Sequence, residues 1–122
     1  METTELVQGF YNGLARKDAG WHDLLSDDVT FSDASGKLQA HGRDAFIQSF
    51  TTFLRAVEKV QLMRLIVEGA NAAAVVSYDY VNPRGEKLHQ DDAEVWTVRD
   101  GAIGSLTIYF DITEFRAFMG RQ

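Results

Sequence analysis

The second half of the chain consists of long β-rich segments joined by short turns. Asn82-Pro83-Arg84-Gly85 has proline at the second position of a turn and glycine at the fourth, which is typical of type I turns. Asp100-Gly101 is a strong two-residue hairpin motif. Strands joined in this way follow one another as an antiparallel meander. The predicted strands are 60–68, 72–81, 87–99 and 103–110.

Helical periodicity is found mainly in the first half of the chain. Apolar residues recur on one stripe from Leu6 to Leu14, and 17–20 closes this first helix. A short second helix over 21–25 is expected, followed by a turn at 26–28. An amphipathic helix is predicted from Arg43 to Val57, because its aromatic residues return at helical spacing. Asp111 is expected to cap a last helix that includes Phe115, Phe118 and Met119.

Helices segregated from an antiparallel sheet indicate an α+β fold, and 122 residues suit a single domain over 1–122. Long strands twist and bend, so helices on the concave face of the sheet can leave an apolar pocket.

Composition excludes several classes of function. Eighteen acidic residues against twelve Lys and Arg give a net charge of −6 without a basic run, so nucleic acid is not an expected partner. The chain has no cysteine for thiol chemistry and no apolar run long enough to span a membrane. Its first residues do not resemble a signal peptide, so we expect a cytoplasmic protein. No nucleotide motif is present, and we expect no cofactor.

Asp33 is the most informative candidate residue. Alternation along Val29-Thr30-Phe31-Ser32-Asp33 places its carboxyl on the same face as Val29 and Phe31, toward apolar surroundings. An acid in such a place has a pKa that burial raises and that hydrogen bonds or ion pairs lower. It is therefore a candidate for proton chemistry. The alternative is an aspartate that only turns the chain through its own backbone hydrogen bonds.

Glu94 is the second candidate acid. It shares strand parity with Asp92, Trp96 and Val98, so a pocket on that face would bury it beside a large ring. Protonated by burial, it could act as a general acid or as an oxyanion donor. The alternative is a solvated glutamate, or one that pairs with Arg64 or Arg99.

A metal site is not predicted. His89 and Asp91 share one face of their strand, while Asp92 and Glu94 share the other. No more than two ligands converge from this segment, and no third ligand is indicated elsewhere.

Several local matches occur together and in order along the chain. Ser26-Asp27-Asp28 precedes a strand, and Gly42 follows Asp33 by nine residues. The segments 98–103 and 109–112 have the character of a last hairpin and tail. With its element order, the chain resembles the SnoaL-like branch of the NTF2-like superfamily, which includes ketosteroid isomerases and polyketide cyclases. The resemblance implies a cone-shaped, strongly curved antiparallel sheet with helices around an apolar pocket.

The resemblance also implies roles for particular residues. Asp33 matches the general base of the isomerases, and Glu94 matches a second oxyanion donor. Their helix tyrosine falls on Phe10, which cannot donate a hydrogen bond, and Tyr11 lies about 100° further round the helix. A true steroid isomerase is therefore not expected. Tyr78 could supply a phenol to a substrate carbonyl.

The expected function is cofactor-free proton transfer or water addition on an apolar carbonyl-bearing or cyclic molecule, with isomerase, cyclase or hydratase chemistry. The alternative is a non-catalytic domain that binds a small apolar ligand or a protein. The half-apolar opposite face of the sheet predicts a homodimer. The expected pocket residues are Phe10, Leu14, Phe31, Phe50, Val76, Trp96, Leu106, Ile108 and Phe110.

Overall fold

The computed structural model describes residues 2–120. Three α-helices, one short 3-10 helix and six strands occur in this part of the chain. Among these residues, no helix is both long and apolar enough to cross a bilayer. In chain order the elements are α1 (Thr3–Arg16), the 3-10 helix (Gly20–Leu24), β1 (Leu25–Asp33), β2 (Gln39–His41), α2 (Arg43–Leu54), β3 (Val57–Glu68), β4 (Asn71–Val81), β5 (Lys87–Arg99), β6 (Ala102–Tyr109) and α3 (Ile112–Phe118).

The six strands form one sheet in the order β2-β1-β6-β5-β4-β3. The meander from β3 to β6 is antiparallel, as predicted. However, β1 lies parallel to β6, so the sheet is mixed rather than wholly antiparallel. Sequence periodicity could not show this pairing, because it reports which face a residue occupies and not which strand lies beside it. The α+β class is confirmed.

The predicted boundaries were wrong at several points. Residues 26–28, predicted as a turn, belong to β1, and the connection before Gly42 contains β2. The helix predicted to reach Val57 ends at Leu54, because Val57 already pairs with Tyr80 in the sheet. The short helix predicted over 21–25 is a 3-10 helix that ends one residue earlier.

The turn predictions are confirmed. Gly85 donates its N–H to the carbonyl of Asn82 at 2.9 Å, closing the predicted turn. Asp100 and Gly101 both have positive φ, as a two-residue hairpin of type I′ requires. Asp111 caps α3 by accepting a hydrogen bond from the backbone of Glu114 at 2.9 Å.

The concave face of the sheet and the two long helices enclose an aromatic core. Phe10 of α1 is fully buried, and its ring contacts Trp21, Phe50 and Trp96 in edge-on geometry at centroid distances of 5.3, 5.4 and 4.7 Å. Edge-on contacts are favourable because the positive ring edge meets the negative ring face. These contacts hold α1 and α2 against the sheet.

The opposite face of the sheet is partly apolar and open. Ile66 is 57% exposed and Tyr109 is 50% exposed, on strands that also carry the exposed Val75 and Val95. In register, Ala73 lies between Ile66 and Val95, so these side chains form a continuous patch across strands.

Candidate active site

Glu94 is at the centre of a hydrogen-bonded cluster on the concave face of β5. Its side chain is 0% exposed. Tyr11 of α1 donates to Oε1, and Tyr78 of β4 donates to Oε2 at 2.8 Å. The indole of Trp96 donates in turn to the hydroxyl of Tyr11 at 3.1 Å. Both carboxyl oxygens of this glutamate are therefore occupied by phenols of the protein.

Asp92 lies two residues away on the same face and is only 1% exposed. Neither of its carboxyl oxygens has a hydrogen-bond partner among residues 2–120. A buried polar atom without a partner costs about 1–3 kcal/mol. Asp92 therefore offers free hydrogen-bonding capacity inside the protein, whereas Glu94 does not.

The two acids have raised pKa values with different secondary causes. Burial raises the pKa of Glu94 to about 7, although the hydrogen bonds from Tyr11 and Tyr78 act in the opposite direction. Burial raises the pKa of Asp92 to about 8, and the charges of Glu94 and Asp91 raise it further. A raised pKa favours the protonated carboxyl, which can donate a hydrogen bond, and Asp92 has no hydrogen bond from the protein that would favour its charged form, whereas Glu94 has two.

Two further buried polar atoms lack partners among the described residues. They are the hydroxyl of Tyr80 and the side-chain oxygen of Gln90. The amide nitrogen of Gln90 is occupied, because it donates to the carbonyl of Asp111 and to Glu114 of α3 at 3.1 and 2.8 Å. Burial, and secondarily the charge of Asp92, raise the pKa of Tyr80. Its phenol therefore stays protonated.

A cavity of about 540 Å³ lies beside this cluster, between β1, α2, β6 and α3, and we call it the α2–α3 cavity. Phe53 and Phe115 lie in its wall, and their rings also contact Tyr80 at 5.7 and 4.9 Å. None of Tyr78, Asp92 and Glu94 lines the cavity, so this aromatic layer lies between the cavity and the acid cluster. The lining residues are Phe31, Lys37, Leu38, Gln39, Gln48, Ser49, Thr52, Phe53, Ala56, Ile108, Phe110, Phe115 and Met119.

Asp33 lies at the end of β1, where it is 3% exposed. Its carboxylate accepts hydrogen bonds from the backbone and hydroxyl of Ser35 and, at 2.8 Å, from the backbone of Leu38. Burial acts to raise its pKa, but these hydrogen bonds outweigh burial and lower the pKa below its ordinary value. These contacts are the ones expected of an aspartate that only turns the chain through hydrogen bonds to the backbone. The catalytic role remains a prediction.

The register of the sheet relates Asp33 to the acid cluster. Asp33 pairs with Ile108 of β6, and Ile108 pairs with Glu94 of β5. Strands lie about 4.8 Å apart, so the two acidic residues are separated by about 10 Å along one row of the sheet. Ile108, between them, lines the α2–α3 cavity.

The predicted pocket residues separate into three groups. Phe31, Ile108 and Phe110 line the α2–α3 cavity. Leu14 instead lines a second cleft, between α1 and α2. The remaining predicted residues are buried in the core and line neither cavity: Phe10, Phe50, Val76, Trp96 and Leu106.

Arg43 pairs with Asp23 at 3.3 Å and not with Asp33. Glu94 pairs with neither Arg64 nor Arg99, because Arg99 pairs with Asp28 and Glu94 is turned inward. Among residues 2–120, no three acidic or histidine side chains converge as a metal site would require.

Tyr11 and Asp92 are the residues whose importance the sequence did not indicate. Tyr11 was not expected to replace the helix tyrosine of the isomerases, yet its hydroxyl reaches Glu94. Phe10 fills the aromatic core and Tyr11 reaches Glu94 from the same helix. The hydroxyl of a tyrosine lies well beyond the helix surface. Tyr11 therefore reaches Glu94 even though it lies about 100° round the helix from Phe10. The sequence signal for Asp92 was that it lies two residues from Glu94 and therefore on the same face of the strand.

Comparison with known proteins shows the family of this fold. No curated protein sequence matches the chain. An NTF2-like protein of unknown function from Burkholderia pseudomallei K96243 has a similar structure, with a TM-score of 0.83, 18% identity and 98% of each chain covered. A protein of Jannaschia sp. CCS1 described as a SnoaL-like polyketide cyclase has a TM-score of 0.82 and 16% identity, covering 98% of this chain and 92% of that chain.

The epoxide hydrolase/cyclase-like enzyme SalBIII, which is linked to pyran ring formation in the polyether salinomycin, is also similar. Its TM-score is 0.81 at 19% identity, covering 91% of this chain and 92% of that chain. The family model of the SnoaL-like domain matches residues 7–105, which is most of the sequence. The chain therefore belongs to the SnoaL-like domain family.

Proposed function

We propose that this protein is a cofactor-free enzyme that transfers a proton on an apolar carbonyl-bearing or cyclic substrate. The observation that carries the proposal is the buried carboxyl of Asp92, which has a raised pKa, has no hydrogen-bond partner among residues 2–120 and lies behind the aromatic wall of the α2–α3 cavity. Among proteins of the same fold are one described as a SnoaL-like polyketide cyclase and an epoxide hydrolase/cyclase-like enzyme, which supports chemistry on cyclic or ring-forming molecules.

In this mechanism Asp92 is the acid. Its carboxyl proton passes to, or hydrogen-bonds, a substrate oxygen as negative charge develops there. Full transfer of the proton would leave a buried Asp92 carboxylate next to the charge of Glu94, which is strongly unfavourable. Asp92 therefore acts most easily when it shares its proton with the substrate oxygen in a hydrogen bond. The negative charge of Glu94 is stabilised by the hydrogen bonds that the hydroxyls of Tyr11 and Tyr78 donate to it.

Asp33 is the proposed base, at the end of β1, where its hydrogen-bond partner Leu38 lines the α2–α3 cavity. Its pKa is lowered while that of Asp92 is raised, and such a divergence separates a base from an acid at one pH. Ile108 separates Asp33 from Glu94 in the sheet, and Asp92 is two residues from Glu94 on the same face, so a substrate above Ile108 would lie near both the proposed base and the proposed acid. The base would take a proton from carbon, or from a water that adds to the substrate, as Asp92 protonates the oxygen.

The direct test is turnover of two small probes, isomerisation of cyclohex-3-enone and hydration of cyclohexene oxide. We expect the protein to accelerate at least one above buffer, and Asp92→Asn to lower that rate by about 10²–10⁴-fold, the usual contribution of a general acid. Asp27→Asn is the matched control because its carboxyl is exposed and lies on β1 rather than on β5. Full activity in Asp92→Asn would remove Asp92 from the mechanism.

Asp33→Asn separates the two roles of that residue. A catalytic base predicts loss of turnover in a folded protein. A turn residue predicts a loss of stability of about 1–3 kcal/mol with turnover retained, because one hydrogen-bond acceptor in the turn is replaced by a donor.

The second candidate function is a non-catalytic domain that holds an apolar ligand in the same cavity. The low pKa of Asp33 favours it, because a carboxylate stabilised by three donors is a weak base. Binding of cyclohexenone with no acceleration of its isomerisation would support this function over the enzymatic one.

We also propose that the chain forms a homodimer through the exposed face of its sheet. The support is the apolar patch of Ile66, Val75, Val95 and Tyr109. A flat patch that crosses neighbouring strands can pair with a copy of itself about a two-fold axis.

A further inference from the structure

A second cleft, separate from the acid cluster, lies where the C-terminal ends of α1 and α2 meet the start of β3. We call it the α1–α2 cleft, and its volume is about 600 Å³. Pockets of about 300–1,000 Å³ suit small organic ligands. Its floor is apolar and includes Leu14, Trp21, Leu54, Val57 and Val60.

Three cations line this cleft, namely Lys17, Arg55 and Lys59. All three are exposed, and within residues 2–120 none of them forms an ion pair. Such a group is unusual in a chain whose net charge is −6. The net charge of the cleft therefore depends on whether its acidic residues neutralise these three cations.

The two acids in the lining are already paired with cations outside it. Asp18 pairs with Arg16 at 2.9 Å, and Glu58 pairs with Lys87 at 2.6 Å. The acidic groups are thus offset by neighbours, whereas the lining cations are not. The local balance is positive.

The helix ends do not reverse this balance. Two of the last four carbonyls of α1, those of Gly13 and Leu14, accept hydrogen bonds from the backbone N–H groups of Asp18 and Lys17, respectively, both at 3.1 Å. A capped end exposes less of the partial negative charge of a helix C-terminus. At the end of α2, the backbone of Arg55 bonds to the carbonyl of Thr52 at 3.3 Å.

We infer that the α1–α2 cleft binds small amphipathic anions, with an alkyl or aryl body on the apolar floor and a carboxylate or phosphate head at Lys17, Arg55 and Lys59. Burial of the body removes apolar surface from water, and the head forms charge-assisted hydrogen bonds. The site does not depend on the proposed catalysis, because it shares no lining residue with the α2–α3 cavity.

The test is calorimetric titration with four probes of equal chain length below their micelle concentrations: decanoate, decyl phosphate, decan-1-ol and decyltrimethylammonium. We expect at least one anion to bind about tenfold or more tightly than the alcohol, and its affinity to fall as salt is added. The tighter anion identifies the head group. Equal binding of alcohol and anions, or no binding of either anion, would overturn the inference.

Variants then locate the site. The double variant Arg55→Gln with Lys59→Gln should weaken binding of the anion by about tenfold or more, while the alcohol is unaffected. Lys37→Gln is the matched control, because Lys37 lines the α2–α3 cavity instead. In NMR spectra of the unaltered protein, anion addition should shift the indole resonance of Trp21 and leave that of Trp96 in place. Weakening by Lys37→Gln alone would place the anion in the other cavity and contradict the inference.

Discussion

At the scale of single residues, two neighbouring acids on one strand differ because of what surrounds their oxygens. Glu94 is satisfied by two phenols, while Asp92 has none of its acceptor capacity used among the described residues. Burial alone would make the two carboxyls alike. The hydrogen bonds separate a charge-holding residue from one able to donate.

The raised pKa of Asp92 makes stability depend on pH. A carboxyl whose pKa is higher in the folded than in the unfolded state binds more protons when folded, so stability falls as pH rises from about 4 to about 8. We expect urea unfolding to give a lower free energy of unfolding at pH 8 than at pH 5. Asp92→Asn should reduce this difference.

Asp27→Asn is the matched control for this measurement, because Asp27 is exposed and should leave the pH dependence unchanged. A pH dependence that is the same in Asp92→Asn as in the unaltered protein would show that Asp92 titrates normally.

His89 provides a prediction on the opposite face of the same strand. Hydrogen bonds to Asp79 and Asp91, at 2.7 and 2.9 Å, raise the pKa of its exposed imidazole. An NMR titration should find a value above the ordinary one, and Asp79→Asn should lower it. A value that does not move in the variant would exclude Asp79 as the cause.

At the scale of elements, the ring of Phe10 is a main contact between α1 and the aromatic core. Phe10→Ala removes the ring that meets Trp21, Phe50 and Trp96, and the surrounding aromatics cannot close the space. The expected loss of stability is about 3–5 kcal/mol, measured by denaturant unfolding. Gln8→Ala, on the exposed side of the same helix, should change stability by less than about 0.5 kcal/mol.

The elements also show what sequence alone could predict. Turn motifs such as Asn82–Gly85 and Asp100-Gly101 correctly located the β4–β5 and β5–β6 connections, because they depend on local backbone preferences. The resemblance indicated the fold family. Partner choice between distant strands does not depend on local preference, so the parallel pairing of β1 with β6 was not predicted.

The candidate site was predicted unevenly for the same reason. Strand parity correctly put Glu94 on the buried face, whereas Tyr78, which was expected to offer its phenol to a substrate carbonyl, donates its hydrogen bond to Glu94. The reach of Tyr11 depends on how α1 lies over the sheet, which is a tertiary property. The hydrogen bonds of Asp33 depend on the loop that folds back to Leu38.

At the scale of the whole molecule, the exposed sheet face decides the expected assembly. If the apolar patch pairs with a second copy, Val95→Lys should shift the protein toward monomer in analytical ultracentrifugation, because two lysines would face each other near the axis. Lys37→Gln, away from this face, should leave the mass unchanged. A monomer for the unaltered protein at all concentrations would refute the proposed dimer.

The pairing of β1 with β6 also affects how the chain can be made. On a ribosome that adds about 5–20 residues each second, β1 appears about 4–15 s before the strand it must lie beside. During that time Val29 and Phe31 have only the three-residue β2 as a sheet neighbour. The nascent domain thus contains an apolar strand without its main sheet partner until the last quarter of the chain is synthesised. Mutations that slow the pairing of β6 with β1 should therefore cause misfolding around β1, far from the mutated residue in sequence.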